Sequence, residues 1–258
     1  MLLNGNTVLI TGGSSGIGLE LTRELVKRGN TVIITGRDQA KLDKCKQEIP
    51  ALHVIRSDVG QPAEIEALHA RVLKEFPKLN VLVNNAGIMR TINLHKDDSG
   101  FGDLVREIGI NLSGPILMVQ KFLPHLKSMD NAAIVNVSSG LAFVPLPTSP
   151  IYCATKAALH SYTQSLRVQM KNTKVKIFEL CPPATETELL TSTSDAEDLK
   201  GVSVMAVGDL IRATLKGLEN DELEIRPGQS NQLRFMNRVA PGFILAQLSK
   251  PVDRMLQK

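Results

Sequence analysis

Short runs of β-branched and apolar residues alternate along this chain with segments whose apolar residues recur every three or four positions. The runs predict strands, and they cover residues 7–11, 31–35, 52–57, 80–84, 132–138, 175–180 and 223–226. The segments predict helices, and they cover residues 16–28, 39–48, 64–76, 103–127 and 151–170. Strands that alternate with helices form βαβ units. We therefore expect an α/β protein in which one Rossmann-like, doubly wound parallel sheet carries helices on both faces, as a single domain over residues 1–258.

Composition excludes several other classes of protein. The chain is 43% hydrophobic and 22% charged, as in ordinary globular proteins. Its net charge is only +4, its basic residues are scattered and aromatics make up 3%, so we expect no nucleic-acid partner. Cys45, Cys153 and Cys181 form no C-x-x-C pair, which argues against a metal site or disulfides and favours a reducing compartment. Without a signal peptide or a run of 18 apolar residues, we expect a cytoplasmic protein with no membrane span.

Residues 11–18, TGGSSGIG, fit two incompatible patterns. In G-x-S-x-G, Ser14 would be a hydrolase nucleophile, which also requires an earlier oxyanion segment and later Asp and His residues. Only eleven residues precede Gly12, and the histidines do not follow late strands. Alternatively, glycines between a strand and a helix let the backbone approach a phosphate at the helix N-terminus. We favour this dinucleotide-binding turn, with cofactor contacts from Gly12, Ser14, Ser15, Gly16, Ile17 and Gly18.

Residues after the second and third strands bear on the choice of cofactor, because ligands of such sheets bind at the carboxyl ends of strands. Folds that prefer NAD usually carry a carboxylate after the second strand, whereas here Gly36 and Arg37 follow it. An arginine there accommodates a 2′-phosphate, so we expect NADP, with NAD as the alternative cofactor. The alternative for Arg37 itself is a solvated surface arginine without a binding role. Asp58 and Val59 follow the third strand, where the carboxylate can accept from adenine or cap the helix before Pro62.

Polar residues after the fourth and fifth strands suggest proton chemistry. Asn84 and its neighbour Asn85 can bridge strand ends. Tyr152 and Lys156 are four residues apart, so on a helix they project from one face. We expect the lysine charge to lower the tyrosine pKa from ~10 by about two units, towards the range where general acid–base catalysis is effective. A serine near the substrate oxygen would stabilise its growing charge.

These motifs together resemble the short-chain dehydrogenase/reductase family, in its single-domain branch with Tyr-x-x-x-Lys. The similarity runs from about residue 5 to residue 190 and is carried by TGGSSGIG (11–18), DV (58–59), NNAG (84–87), INLSG (110–114), NVSS (136–139) and YCATK (152–156).

The resemblance implies roles for individual residues. Tyr152 would donate or accept the proton, and Lys156 would lower its pKa and hold the nicotinamide ribose. Ser139, which has the family's spacing to the tyrosine, would orient the substrate carbonyl, and Asn111 would keep a water that links Lys156 to solvent. Further cofactor contacts are implied for Asn85, Ala86, Gly87, Pro182, Thr185 and Thr187.

The chain departs from the family pattern after the sixth strand. Pro183 stands where the family usually has glycine, which should stiffen the turn, while Thr187 can keep a nicotinamide contact. The Cys-Pro-Pro segment at 181–183 and the stretch at 238–244 are similar to a bacterial subgroup named after DltE. Residues 188–205 lack periodicity and are expected to form a substrate lid. The tail 231–258 is expected to cover the pocket, join a subunit interface or touch a membrane surface.

The sequence thus predicts an NADP-dependent oxidoreductase acting on a carbonyl or alcohol group of a small molecule. A nucleotide-binding sensor or scaffold without turnover is the alternative. An epimerase or dehydratase is disfavoured, because those enzymes resemble a longer branch with a differently spaced glycine turn. The resemblance also implies a homodimer or homotetramer, formed through the helices predicted at 103–127 and 151–170.

Overall fold

The computed structural model describes residues 1–96, 100–191 and 203–257. Within these ranges, seven parallel strands form one sheet in the order β3-β2-β1-β4-β5-β6-β7. The strands are β1 Thr7–Thr11, β2 Thr31–Gly36, β3 His53–Arg56, β4 Leu79–Asn84, β5 Ala132–Val137, β6 Val175–Leu180 and β7 Glu224–Ile225. The predicted fold class is confirmed.

Helices connect these strands and cover both faces of the sheet. They are α1 Gly16–Lys27, α2 Gln39–Glu48, α3 Pro62–Glu75, α4 Phe101–Ile108, α5 Gly114–Ser128, α6 Pro150–Gln169, α7 Glu188–Thr191, α8 Val207–Glu219, α9 Gln229–Val239 and α10 Pro241–Gln257. Apolar residues from α1, α2 and α8 form the core on one face, and apolar residues from α3, α5 and α6 form it on the other. Val32 and Ile34 point to the first core and Ile33 to the second, as strand alternation requires.

Two helical regions differ from the sequence prediction. The single helix expected at 103–127 is divided by a π-helical turn, Gly109–Ser113, between α4 and α5. This turn contains Asn111, and π-turns often occur at functional sites. In addition, the structure shows α8, α9 and α10, for which no helices were predicted. No helix in the described part of the chain has the length and apolar character needed to cross a bilayer.

The strand order fixes where a ligand can bind. β1 lies between β2 and β4, so the connections after β1 and β4 leave towards opposite faces of the sheet. A crevice therefore opens at the carboxyl ends of these two strands. The glycine-rich turn follows β1 and the Asn84–Gly87 segment follows β4, so both border that crevice.

Candidate active site

The turn after β1 is shaped by glycines that leave no room for side chains. Gly12 has φ of 64°, and a Cβ there would lie 2.8 Å from Ala86 Cα. A Cβ on Gly18 would overlap the carbonyl oxygen of Gly12. Gly16 also has a positive φ, of 51°, and Ser15 caps α1 without a side-chain hydrogen bond. Backbone N–H groups of the first turn of α1 therefore face the crevice without a side-chain cap, an arrangement that fits a pyrophosphate.

Side chains at the ends of β1 and β4 lock this turn in place. Asn85 Nδ2 donates to the carbonyl oxygens of Thr11 at 3.0 Å and Gly12 at 2.9 Å. Thr11 Oγ1 in turn accepts from the backbone N–H groups of Asn85 at 3.0 Å and Ala86 at 3.1 Å. Sequence reasoning anticipated a bridging asparagine but missed Thr11. Its position as the last residue of β1, beside β4, was the available signal.

The end of β2 lies next to the glycine turn. A Cβ on Gly36 would come 3.3 Å from Ser14 Oγ, so the two segments approach closely here. Arg37 is exposed beside this contact. The nearest following acid, Asp38, accepts from the Lys41 N–H at 3.1 Å and so caps α2. The Asp38 carboxylate is therefore already used to cap α2.

Asp58 after β3 is held by protein groups. Its Oδ1 accepts from the Gly60 N–H at 2.9 Å, and Arg106 donates to Oδ2 at 3.2 Å. The alternative that Asp58 caps the next helix is wrong, because α3 begins after Gln61 and the carboxylate caps the turn at Gly60 instead. Val59 is buried, next to the start of α5.

Ser139, Tyr152 and Lys156 come together at the carboxyl end of β5. Tyr152 and Lys156 are one turn apart on α6, and Lys156 Nζ lies 5.6 Å from the centre of the Tyr152 ring. Lys156 Nζ donates to the Val137 carbonyl oxygen at 2.9 Å. Ser139 Oγ accepts from the Leu141 N–H at 3.0 Å and lies within hydrogen-bonding reach of the Tyr152 hydroxyl. The adjacent Ser138 faces Glu179 instead.

Burial dominates the proton affinities at this cluster. Desolvation raises the pKa of Tyr152 to about 12, against the opposing effect of its hydrogen bond with Ser139. Desolvation also lowers the pKa of Lys156 to about 8, against the opposing charge of Glu179. The expectation that Lys156 lowers the tyrosine pKa is therefore wrong for the cofactor-free chain. The cost of burying a phenolate outweighs the attraction of the lysine charge. Burial also makes Lys156 lose its proton more easily.

Asn111 ties the π-turn to the segment after β4. Its Oδ1 accepts from the Ile88 N–H at 2.9 Å, while its Nδ2 donates to Ile88 O at 2.8 Å and to Thr155 Oγ1 at 3.2 Å. A Cβ on Gly87 would lie 3.4 Å from Asn111 Oδ1 and 3.5 Å from Lys156 Nζ. Asn111, Gly87 and Lys156 thus meet at one end of the crevice.

The segment after β6 crosses over the glycine turn. The Pro182 carbonyl oxygen accepts from the Gly140 N–H at 2.8 Å, and Thr185 forms an isolated parallel bridge with Met205. A Cβ on Gly16 would lie 3.2 Å from Thr187 Cγ2, so Thr187 contacts the start of α1. Of the predicted lid, residues 188–191 form α7 and residues 192–202 lie outside the described ranges.

The C-terminal region packs over the segment that follows Ser139. A Cβ on Gly140 would lie 2.7 Å from Ser230 Oγ, at the start of α9. The Phe143 ring lies 5.9 Å from the Arg234 guanidinium, also on α9. In α10, the Met255 carbonyl oxygen accepts from Asn93 Nδ2 at 3.3 Å. These contacts place α9 and α10 against the segments after β5 and β4.

Two buried carboxyl groups near the cluster were not anticipated. Glu107 on α4 has no exposed surface, and within the described ranges neither of its oxygens has a hydrogen-bond partner. The Arg90 guanidinium lies 3.9 Å from it, and burial raises the pKa of Glu107. Glu179 on β6 is equally buried but is hydrogen-bonded. An acidic residue between the apolar Phe178 and Leu180 of β6 was the signal for Glu179.

The fold and the site define a dinucleotide-binding α/β protein with a cluster of serine, tyrosine and lysine beside the nucleotide crevice. The sequence model of a family described as "short chain dehydrogenase" matches residues 6–198. The chain belongs to this short-chain dehydrogenase/reductase family of NAD(P)-dependent oxidoreductases.

Individual relatives agree with this assignment. The chain is 43% identical over 240 residues to the uncharacterized oxidoreductase DltE of Bacillus subtilis, covering 92% of this chain and 94% of that protein. The 3-ketoacyl-(acyl-carrier-protein) reductase of Brucella melitensis, solved with NADH, is 30% identical with a TM-score of 0.79 and covers 89% of this chain and 100% of its own. A short-chain dehydrogenase of Sphingobium yanoikuyae, solved with NADPH, is 26% identical with a TM-score of 0.78 over 93% of this chain and 95% of its own.

Proposed function

We propose that this chain is an NADP-dependent oxidoreductase that interconverts a carbonyl and an alcohol group of a small molecule, with Tyr152 as the general acid–base. This proposal rests on one observation: Ser139, Tyr152 and Lys156 lie together beside a turn whose glycines leave no room for a Cβ atom. The relatives solved with NADH and NADPH support a nicotinamide cofactor.

Residues on both sides of the crevice would hold that cofactor. The glycine turn and the first turn of α1 would bind its pyrophosphate, and Lys156 its nicotinamide ribose. Asn85, Ala86 and Gly87 would line the wall between these points, with Pro182, Thr185 and Thr187 above the turn. The nicotinamide supplies or accepts the hydride when it is bound.

Tyr152 would be in the protonated form that carbonyl reduction requires. With a pKa of about 12, its phenol is protonated at neutral pH and can donate to the alkoxide oxygen that hydride addition creates. The Ser139 hydroxyl would donate a hydrogen bond to the same oxygen and stabilise its growing charge. Lys156 Nζ, held by the Val137 carbonyl oxygen, places a positive charge beside the tyrosine ring. Together these groups can hold the substrate oxygen and protonate it.

The end of β2 favours NADP over NAD. The position where an acid would bind a ribose 2′-hydroxyl is Gly36, which leaves space for a phosphate. Arg37 supplies an exposed guanidinium next to it, and Asp38 is engaged as the cap of α2. A planar cationic group without a competing free acid suits a 2′-phosphate.

Turnover and binding measurements with both cofactors test this function. The purified chain is mixed with NADPH or NADH and a panel of aldehydes and ketones, and cofactor absorbance is followed while calorimetry measures cofactor binding. We expect oxidation of NADPH with at least one carbonyl and weaker binding of NADH. NADPH binding without turnover of any compound would instead favour a cofactor-binding sensor.

We also propose that the chain assembles as a homodimer or homotetramer in the cytoplasm. Phe101, Val105 and Ile108 are exposed on one face of α4, with 83%, 52% and 39% of their surface accessible. An apolar stripe at this spacing is typical of an interface between helices. Cys45, Cys153 and Cys181 are free and buried, as suits a reducing compartment. Light scattering on the wild type and on Val105→Asp should show an oligomer that the substitution dissociates; a wild-type monomer would refute the assembly.

A further inference from the structure

Glu179 is a buried acid at a strand end where an apolar residue would be expected. It has no exposed surface, yet it lies in β6 between Phe178 and Leu180, which are also fully buried. Burying a carboxylate is costly unless hydrogen bonds and charges compensate it. The groups that compensate Glu179 connect it to the acid–base cluster.

Two side chains hold the carboxylate by hydrogen bonds. Ser138 Oγ donates to Glu179 Oε1 at 2.5 Å, from the end of the neighbouring strand β5. His160 Nδ1 lies 2.9 Å from Oε2 and 3.0 Å from Oε1, and donates from α6. The other ring nitrogen of His160, Nε2, contacts Gln164 Nε2 at 3.1 Å. The carboxylate is thus fixed between the strand that precedes Ser139 and the helix that carries Tyr152.

Both partners lead directly to Lys156. His160 follows Lys156 by one helical turn, so the two side chains lie on the same face of α6. Ser138 follows Val137, whose carbonyl oxygen accepts from Lys156 Nζ at 2.9 Å. The negative charge of Glu179 acts on Lys156 and opposes the loss of its proton, which burial otherwise favours.

The other groups that face Glu179 are uncharged or already paired. Its register partner on β7 is Glu224, whose carboxylate is paired with Arg226 at 2.6 Å and Arg234 at 3.5 Å. Its register partner on β5 is Asn136, which is uncharged and donates to Thr163 at 2.9 Å. Cys181, the residue after β6, lies 3.3 Å from Ser138 Oγ, and burial raises the pKa of its thiol, so it stays neutral.

We propose that Glu179 is a positioning residue of this active site, a buried counter-charge that keeps Lys156 in its ammonium form and is itself held in place by Ser138 and His160. This inference rests on the proposed function, because it assigns a purpose to the charge of Lys156. It predicts that the chain loses the Lys156 charge at a lower pH when the carboxylate is neutralised.

Nuclear magnetic resonance of the cofactor-free chain measures this effect without turnover. Carbon-13-labelled lysine reports protonation through the Cε shift, and the Lys156 signal is identified by its absence in Lys156→Arg. We expect a wild-type midpoint at about pH 8. In Glu179→Gln, which keeps the size and hydrogen-bonding capacity of the side chain, the midpoint should fall by about one pH unit.

Further variants separate charge from folding. Glu179→Met removes the same charge with an apolar side chain of similar volume, so it provides the measurement if Glu179→Gln does not fold. Ser138→Ala removes a hydrogen bond but keeps the carboxylate, and Glu179→Asp keeps the charge. Glu179→Asp should leave the midpoint close to that of the wild type, whereas Ser138→Ala should lower it by less than Glu179→Gln does, because the carboxylate loses one hydrogen-bond donor. An unchanged midpoint in the folded neutral variants would overturn the proposal.

The same variants distinguish this inference from the proposed function. If the chain reduces a carbonyl, the alkaline limb of its pH profile should move down in Glu179→Gln by the shift that the resonance shows. If the chain turns over no carbonyl but its Lys156 midpoint still falls in Glu179→Gln, the counter-charge inference stands and the proposed oxidoreductase function is wrong. If the chain reduces a carbonyl but Glu179→Gln changes neither the Lys156 midpoint nor the alkaline limb, only the counter-charge inference is wrong.

Discussion

Lys156 Nζ lies 5.6 Å from the centre of the Tyr152 ring and is bound to the Val137 carbonyl oxygen, so the ammonium is fixed beside the phenol. The two side chains are nevertheless both buried, with 3% and 7% of their residue surfaces exposed. Burial disfavours the charged form of each group, which raises the tyrosine pKa and lowers the lysine pKa. In the cofactor-free chain the neutral phenol is therefore the stable form at neutral pH.

Phenolate absorbance provides a direct test of this state. The chain has two tyrosines and no tryptophan, so Tyr162→Phe leaves Tyr152 as its single phenol. Because desolvation dominates, we expect no phenolate from Tyr152 below about pH 10, the ordinary tyrosine pKa. Lys156→Gln should change this titration little. A titration of Tyr152 near neutral pH that disappears in Lys156→Gln would show that the lysine, and not burial, controls the phenol.

Substitution of Gly12 should damage the nucleotide crevice. In Gly12→Ala, the new Cβ would meet the Ala86 backbone at 2.8 Å in a residue whose φ is 64°. We expect a loss of about 1–3 kcal/mol in the free energy of unfolding, with at least a tenfold weaker binding of NADPH. Urea unfolding and calorimetry measure the two effects.

Gly102→Ala is the matched control for that substitution. Gly102 lies in α4, and a Cβ there would meet nothing within 4 Å. Alanine favours a helix over glycine by about 1 kcal/mol, so the control should be neutral or stabilising and should bind NADPH normally. Equal binding by Gly12→Ala and the wild type would contradict the assigned nucleotide turn.

Arg37 should determine the preference for NADPH. Removing its guanidinium in Arg37→Ala leaves a 2′-phosphate without its cationic partner, so the NADPH dissociation constant should rise by about ten- to a hundredfold. The NADH constant should stay within about a factor of three, since no phosphate is lost there. Lys44→Ala, an exposed cation on the neighbouring helix α2, is the control. Parallel changes for both cofactors would mean that Arg37 does not read the phosphate.

Glu107 should make the stability of the chain depend on pH. Burial raises its pKa in the folded state above the ordinary 4.5, so the unfolded chain releases this proton more readily. The contribution of Glu107 to stability is full below that ordinary pKa and is lost as the pH rises through the folded value. In Glu107→Gln, urea unfolding should therefore show a smaller decline in stability from about pH 5 to 8.

Glu66→Gln is the control for Glu107, because Glu66 is exposed and its pKa is lowered by its hydrogen bond to Lys121. Neutralising Glu66 should leave the stability trend above pH 4.5 unchanged. If Glu107→Gln follows the wild-type curve throughout, the buried carboxyl is not the source of the decline.

The sheet was predictable from the sequence because its strands are short, β-branched and separated by amphipathic segments. The turns after β1 and β4 were predictable because glycine and asparagine meet specific backbone needs there. The helix α8 was missed although Leu210, Ile211, Leu215 and Leu218 carry the helical period and are buried.

Other features depend on packing that the sequence does not display. The π-turn at Gly109–Ser113 is stabilised by the bonds of Asn111 to Ile88, which is distant in the chain. The spacing of Tyr152 and Lys156 predicted their proximity correctly, but the direction of the tyrosine pKa depends on how deeply α6 is covered. Likewise, an acidic residue such as Glu107 is expected at the surface, and only the tertiary structure shows it buried.

Turnover by Tyr152→Phe tests the central claim most directly. Tyr162→Phe, which removes the other tyrosine of the same helix, is its control. With cofactor binding verified by calorimetry, we expect carbonyl reduction to fall by about a hundredfold or more in Tyr152→Phe and to remain near the wild-type rate in Tyr162→Phe. Full turnover by a folded, cofactor-binding Tyr152→Phe protein would show that another group delivers the proton.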